Sequence, residues 1–324
     1  MASLVGSTLY VFSPYRFLDN YVRGSIGEIV SFVFLPLILG CIFQVEKGNK
    51  KYFPLLSICV AGLILSHNVI AFFSIPVFVL LGLVIAPKHF RNLAVFTILG
   101  FLLSAFFWIP SLFELKLVKL AQYNISDLPA HLLSFPNVIF HIWGYGPDPS
   151  AYRGLAPQIG VMGVFTLALS FVTVLKTKKN AFLILLIITN IVSIFLTTKY
   201  SSEFWNLTQL AKTIQFPWRL LYINMFITAL TATVVVSIIK NRYLPYFFIF
   251  AAITTTIIYS KPANFVNYED SFYSTNEDTT TVQNEYIPVW VNNLQSTRSD
   301  SKIITDSEVS DVKIQNSKYS AKIK

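Results

Sequence analysis

The sequence predicts an all-α membrane protein with about eight transmembrane helices, and three observations support that prediction. Of the 324 residues, 54% are hydrophobic and only 13% are charged, with a mean hydropathy of +0.59, whereas soluble domains carry about 25% charged residues. Long apolar runs alternate with short basic segments, and after residue 260 the composition changes to Asn, Ser, Thr and Asp. We therefore expect a multi-span domain over residues 1–259 and an extracytoplasmic polar tail over 260–324.

The predicted spans follow from apolar runs, compared with the about 30 Å of hydrocarbon that a span has to cross. They cover residues 26–44, 52–65, 69–86, 93–112, 158–175, 181–198, 218–239 and 243–259, of which 52–65 is short for a full span. Residues 1–12 are apolar but too short to cross, so we expect an N-terminally incomplete chain that begins near the end of a helix. Spans two and three should form a tight hairpin with Ser66-His67-Asn68 at its tip, and a broken or re-entrant pair is the alternative.

Lysine and arginine residues predict the orientation in the cell membrane. The short loops 44–52, 87–91, 176–180 and 240–243 hold ten of the 25, and the positive-inside rule places such loops in the cytoplasm. The longer loops and the tail then face outward, which brings polar groups that are distant in sequence to one face. The same loops explain much of the net charge of +9, so we expect no nucleic-acid partner.

The stretch 13–28 is the strongest candidate site because it carries four charges at the mouth of a span. If Pro14 opens a helix, then Arg16, Asp19 and Arg23 fall on one helical face. Two guanidiniums beside a carboxylate can bind a phosphate group in bidentate geometry. Ion pairs within a helix at the membrane surface are the structural alternative.

Three further residues complete the candidate set. Glu28 follows Ser25 by three positions before an apolar run, which is also the spacing of a helix capping box. His67 lies at a helix break, where it either bonds the helix tip or faces a polar site. Arg219 follows Trp218 at the start of span seven, where an interfacial anchor and an arginine directed at an anionic headgroup are both consistent with the sequence.

Other chemistry is not indicated. The four histidines form no closely spaced set with cysteine, so no zinc site is expected. Cys41 and Cys59 lie in apolar runs, where packing is the expected role. In the tail, residues 285–291 and 311–324 alternate as strands do, with Asn316-Ser317 as the turn, which suggests the start of a β-domain.

Four blocks of sequence carry a resemblance to a known family. They are YVFSPYRFLDNYVRGSIGEIVSFVFLPLIL, LSHNVIAF, IQFPWRLL and EYIPVWV. Their order and spacing resemble those of the bacterial and archaeal integral membrane proteins described as 6-pyruvoyl-tetrahydropterin synthase-related. That family is similar to the GT-C membrane glycosyltransferases. The soluble pterin synthase needs a three-histidine zinc site, which this sequence does not contain, so the name does not imply that activity.

The resemblance implies transfer of a sugar from a polyprenyl-phosphate donor to an envelope acceptor at the outer membrane face. In GT-C enzymes an acidic residue of the first outer loop acts as base or binds a metal, so a divalent cation is a cofactor by resemblance alone. That loop would lie upstream of residue 1, which leaves the catalytic residue unassigned. A lipid or polysaccharide transporter and a non-catalytic membrane scaffold are the alternative functions.

The predicted roles are assigned as follows. The residues expected to bind phosphate or substrate are Arg16, Arg23, His67 and Arg219. Asp19 and Glu28 are expected to orient them, and both remain candidates for a catalytic base.

Overall fold

A computed structural model describes residues 1–122, 128–177, 180–208, 210, 214–275, 286–291, 309–315 and 318–323. This part of the chain is mostly helical, which confirms the predicted fold class. The α-helices, in chain order, are α1 (Ala2–Val11), α2 (Pro14–Leu18), α3 (Ile26–Glu46), α4 (Tyr52–Ser66), α5 (Asn68–Ile85), α6 (Phe90–Leu103), α7 (Ala105–Glu114), α8 (Phe135–Ile139), α9 (Gly160–Lys176), α10 (Ala181–Thr197), α11 (Ser202–Thr208), α12 (Leu221–Ile239), α13 (Leu244–Thr256) and α14 (Asp270–Thr275).

Three helices in the described chain are long and apolar enough to cross a membrane. They are α3, α5 and the continuous helix Pro217–Ile239, which includes α12. The pair α6 and α7 would add a fourth if it forms one span, and four shorter apolar helices are α4, α9, α10 and α13 with its extension to Tyr259. Helices of the length and composition needed to cross a membrane are therefore confirmed, whereas eight spans are not.

The predicted fourth span is broken in the middle. The segments Pro87–Leu103 and Ala105–Leu117 meet at an angle of 63°. At the break, the Ser104 hydroxyl donates to the Gly100 and Phe101 carbonyl oxygens, and the Trp108 indole N–H also donates to Phe101. Side-chain bonds of this kind bend a helix because they compete with the backbone ladder.

Helix α12 lies at the centre of the bundle and packs against α1, α9 and α10. Its buried polar side chains bind those of α10. The Asn190 side chain accepts hydrogen bonds from Asn224 and Thr228 and donates one to Thr231. Because an unpaired amide is costly away from water, these bonds fix α10 against α12.

Several helix ends meet at one end of the bundle. Glu28 in the first turn of α3 lies near His67, between α4 and α5, and near Arg219, before α12. From that end, α3 and α5 extend to the basic loops, with a rise of about 1.5 Å per residue. Two of those loops share the opposite end, since the rings of Phe53 and His89 lie 6.5 Å apart. Which end faces the cytoplasm stays a prediction.

The tail contains the predicted hairpin. Strands β1 (Val309–Gln315) and β2 (Lys318–Ile323) pair antiparallel, with Gln315 opposite Lys318. The turn residues Asn316 and Ser317 themselves lie outside the described residues. The other predicted strand is reduced to an isolated bridge between Pro288 and Val118, which attaches the tail to the segment after α7.

Candidate functional site

Glu28 is fully buried, and four separate segments of the chain meet at its carboxylate. Arg23 donates to both oxygens, at 2.6 Å from Nη1 to Oε2 and 2.8 Å from Nη2 to Oε1. The Tyr15 hydroxyl donates to Oε2 at 3.2 Å, and Arg219 Nε lies 3.0 Å from Oε1. We call the set Tyr15, Asp19, Arg23, Glu28, His67 and Arg219 the Glu28 cluster.

The segment before α3 places Arg23 beside two carboxyl groups. As predicted, Pro14 starts a helix, but the chain widens to a π-turn over Asp19–Arg23, in which Arg23 Nη1 contacts Asp19 Oδ1. Gly24, at φ 61°, then ends the turn in the left-handed conformation that glycine adopts at little cost. The chain can therefore reverse so that Arg23 also reaches Glu28.

The predicted capping box does not form. Ser25 is the N-cap of α3, but its side chain makes no capping hydrogen bond. The Glu28 carboxylate binds the Arg23 guanidinium instead. A charge-assisted bidentate pair is stronger than a neutral bond to a backbone amide, which explains the outcome.

His67 caps a helix, as one of its two predicted roles requires, and it also lies beside Glu28. Its Nδ1 accepts the Ile70 amide at 3.2 Å and so caps α5, while its Nε2 lies 3.6 Å from Glu28 Oε1. Gly27 permits this approach, because a Cβ there would lie 2.8 Å from the Ser66 carbonyl oxygen. Burial lowers the pKa of His67 to about 4 against the opposing effect of Glu28, so the ring is neutral at pH 7.

Arg219 is held in a short turn that precedes α12. Its Nη1 donates to the Ile214 carbonyl oxygen at 3.0 Å and to Gln215 Oε1 at 3.1 Å. Its Nε is close to Glu28 but has no aligned acceptor within the described part of the chain. This nitrogen is buried, so it serves the ion pair with Glu28 rather than a ligand.

Two stacked aromatic rings lie between the two arginines. The Trp218 and Phe216 rings stack at 5.4 Å between centroids. The Arg23 guanidinium lies 4.8 Å from the Trp218 ring, and Arg219 lies 4.9 Å from Phe216. Such cation–π contacts hold the guanidiniums in place while their N–H edges remain directed elsewhere.

Arg16 does not join the cluster. Its guanidinium lies 5.6 Å from the centroid of the Tyr10 ring. The prediction of one shared face assumed 3.6 residues per turn, whereas the π-turn after Leu18 bonds each residue to the fifth one along and shifts the helical phase. Two of the three predicted arginines therefore meet, and they meet at Glu28.

The cations of the cluster lie on its open side. The side chains of Arg23 and Arg219 are each 12% exposed and that of His67 is 18% exposed, whereas Asp19 and Glu28 are 0% exposed. An anion that approaches from solvent or from the lipid headgroups would meet guanidinium groups first. The carboxylates behind them keep the guanidiniums in position.

Sequence reasoning missed two contributors. Tyr15 binds the Glu28 carboxylate, yet nothing in its local pattern distinguished it from an interfacial tyrosine. Gly27 was not singled out, although a glycine one residue before a candidate acidic residue could have been read as a site of close backbone approach.

The residues present do not fit the divalent cation that the resemblance implies. Across the described ranges no group of three His, Cys, Asp or Glu residues could hold a metal ion. Asp19 and Glu28 face guanidinium groups, which would repel a cation. We therefore assign no metal to this cluster.

A small cleft lies among α1, α9, α12 and α13, and its volume is about 70 Å³. Apolar side chains that line it include Leu9, Phe12, Met162 and Met225, and Pro14, directly before Tyr15 of the cluster, also lines it. This volume is below the about 300–1,000 Å³ of ordinary ligand pockets, so the cleft does not by itself indicate a lipid site.

Comparison with models of known protein families, with curated proteins and with solved structures gives no match for this chain. The family resemblance therefore stays a prediction. The function has to be argued from the geometry of the Glu28 cluster.

Proposed function

We propose that the protein is a GT-C-like membrane glycosyltransferase, or part of one, that binds the phosphate of a polyprenyl-phosphate-linked sugar at Arg23 and Arg219. The observation that carries the proposal is the meeting of these guanidiniums, from segments distant in sequence, on the open side of buried Glu28. Sugar transfer to an envelope acceptor rests on the resemblance alone.

A phosphate oxygen would bind where the guanidinium edges face outward. Guanidinium groups match phosphate oxygens in bidentate geometry, and one charge-assisted bond contributes about 1.5–3 kcal/mol. The exposed 12% of the Arg23 and Arg219 side chains is where a phosphate oxygen would reach them.

The proposed topology has eight spans, with the cluster at the extracytoplasmic face. Three long helices, the bent pair α6–α7 and four shorter apolar helices would supply them. The shorter helices, at about 1.5 Å per residue, require local thinning of the bilayer or polar flanks at their ends. Such thinning would bring lipid headgroups towards the cluster.

The proposal is tested by lipid binding in nanodiscs that contain no anionic lipid. Polyprenyl phosphate is titrated against wild type, Arg219→Ala and Arg219→Lys, with uncharged polyprenol as the ligand control. Arg16→Ala is the matched control variant, because Arg16 is an arginine of the same region outside the cluster. We expect Arg219→Ala to weaken binding about tenfold to a hundredfold and Arg219→Lys to recover part of it.

A non-catalytic scaffold is the second candidate function. The observation that favours it is that Arg23 already pairs with both carboxyl groups, as it would in an ion-pair cluster with a purely structural role. In that case Arg219→Ala would lower thermal stability but leave binding of polyprenyl phosphate unchanged. Equal binding of polyprenol and polyprenyl phosphate by wild type would likewise refute the phosphate site.

A further inference from the structure

Two buried carboxyl groups of the cluster share one nitrogen atom. Arg23 Nη1 contacts Asp19 Oδ1 and also lies 2.6 Å from Glu28 Oε2. Both carboxyl groups are completely buried, and both contact the same nitrogen of Arg23. Two like charges this close, away from water, are not readily both ionised.

The second oxygen of Asp19 has no partner. Asp19 Oδ2 is buried and receives no hydrogen bond from any residue of the described chain. A buried carboxylate oxygen without a donor is costly, and most such oxygens in proteins are paired. A proton on Asp19 removes the cost, because the acid can then donate a hydrogen bond to the Glu28 carboxylate.

We propose that Asp19 and Glu28 form an acid pair that holds one proton, with Asp19 as the neutral acid and Glu28 as the carboxylate. The surroundings decide this order. Glu28 contacts two guanidiniums and the Tyr15 hydroxyl, whereas among the described residues Asp19 contacts one guanidinium, that of Arg23. Burial raises the pKa of Asp19 well above its ordinary value, and Glu28 raises it further, against the opposing effect of Arg23.

The proton sets the charge of the whole cluster. In the described part of the chain, the titratable or charged groups that face the pair are Tyr15 from α2, Arg23 from the π-turn, His67 from the α4–α5 break and Arg219 from the turn before α12. Tyr222 of α12, a neutral phenol, also interacts electrostatically with Glu28. With Tyr15 and His67 neutral, two guanidiniums face one carboxylate. The excess of one positive charge suits a phosphate ester anion; this last step alone rests on the proposed function.

Infrared spectroscopy tests the acid pair directly. We expect wild type at pH 7 to show the C=O stretch of a buried protonated carboxyl group. Labelling with carboxyl-¹³C aspartate should shift that band, and labelling with ¹³C glutamate should not. The band should be absent in Asp19→Asn and retained in the control Asp148→Asn, which changes an exposed carboxylate.

Thermal stability gives a second readout. Asparagine resembles the neutral acid in shape and keeps a donor, so Asp19→Asn should unfold at the temperature of wild type. If Asp19 were ionised, the variant would lose a buried partner of Arg23 and unfold at a clearly lower temperature. That result, an absent band or a glutamate-shifted band would overturn the acid pair. A normal band without binding of polyprenyl phosphate would instead refute only the proposed function.

Discussion

Glu28→Gln should be among the most destabilising single substitutions in the protein. It preserves shape but removes the negative charge that faces Arg23 and Arg219, and it turns an amide towards one of them. Removal of one partner from a buried ion pair costs about 3–5 kcal/mol. Because Asp19 can ionise and return part of the charge, we expect a loss of about 3 kcal/mol. Against a typical stability of about 5–15 kcal/mol, that is a large fraction.

The assay is equilibrium unfolding in detergent micelles, followed by tryptophan fluorescence, since Trp218 lies beside Arg23. Glu46→Gln is the matched control, because Glu46 is exposed at the other end of α3 and should change stability by less than about 0.5 kcal/mol. Arg219→Gln combined with Glu28→Gln should cost less than the sum of the single losses, as one unpaired charge is removed with it. Additive losses, or a Glu28→Gln effect no larger than the control, would refute the central role of this carboxylate.

Two further predictions concern pH and topology. The pKa of His67 is about 4 in the folded protein and about 6.5 in the unfolded chain, so the free energy of unfolding should be highest above pH 6.5 and fall by about 3 kcal/mol at most as the pH is lowered to 4. His67→Asn should abolish this pH dependence while the asparagine still caps α5. A difference in stability between the two proteins that stays constant from pH 6.5 to pH 4 would contradict the prediction. The predicted orientation is tested with single cysteines at Ser150 and Lys50, in a protein whose Cys41 and Cys59 are replaced by alanine. An impermeant thiol reagent added to intact cells should label position 150 only. Labelling of position 50 only would show that the orientation is the reverse.

The helix pattern was largely predictable because it depends on local sequence. The start at Pro14 and the break at His67 follow from backbone and capping preferences of single residues. The number of spans was not predictable from run length alone, since Ser104 and Trp108 bend the fourth run by bonding its own carbonyl groups. Hydropathy does not register such bonds.

The partners within the site were less predictable than its location. Sequence spacing grouped Arg16 with Arg23, but the π-turn separates them. The spacing of Ser25 and Glu28 was consistent with a capping box, so the local pattern offered no reason to place Glu28 at the centre of the cluster. Its contact with Arg219 depends on how α3 and α12 pack, and no periodicity within either helix encodes that contact.

The Glu28 cluster can serve both as a structural ion-pair cluster and as an anion site because its carboxylates are more deeply buried than its guanidiniums. Glu28 and Asp19 are buried, so the loss of a charge there would disturb the contacts among the ends of α3, α5 and α12. Arg23 and Arg219 keep an exposed edge, so an anion can bind them without displacing the carboxylates behind. Arg219 Nε does not distinguish the two roles, because it is buried and lies 3.0 Å from Glu28 Oε1. The partial exposure of the Arg23 and Arg219 side chains, 12% each, is the physical feature by which the proposed binding site differs from a fully enclosed ion-pair cluster.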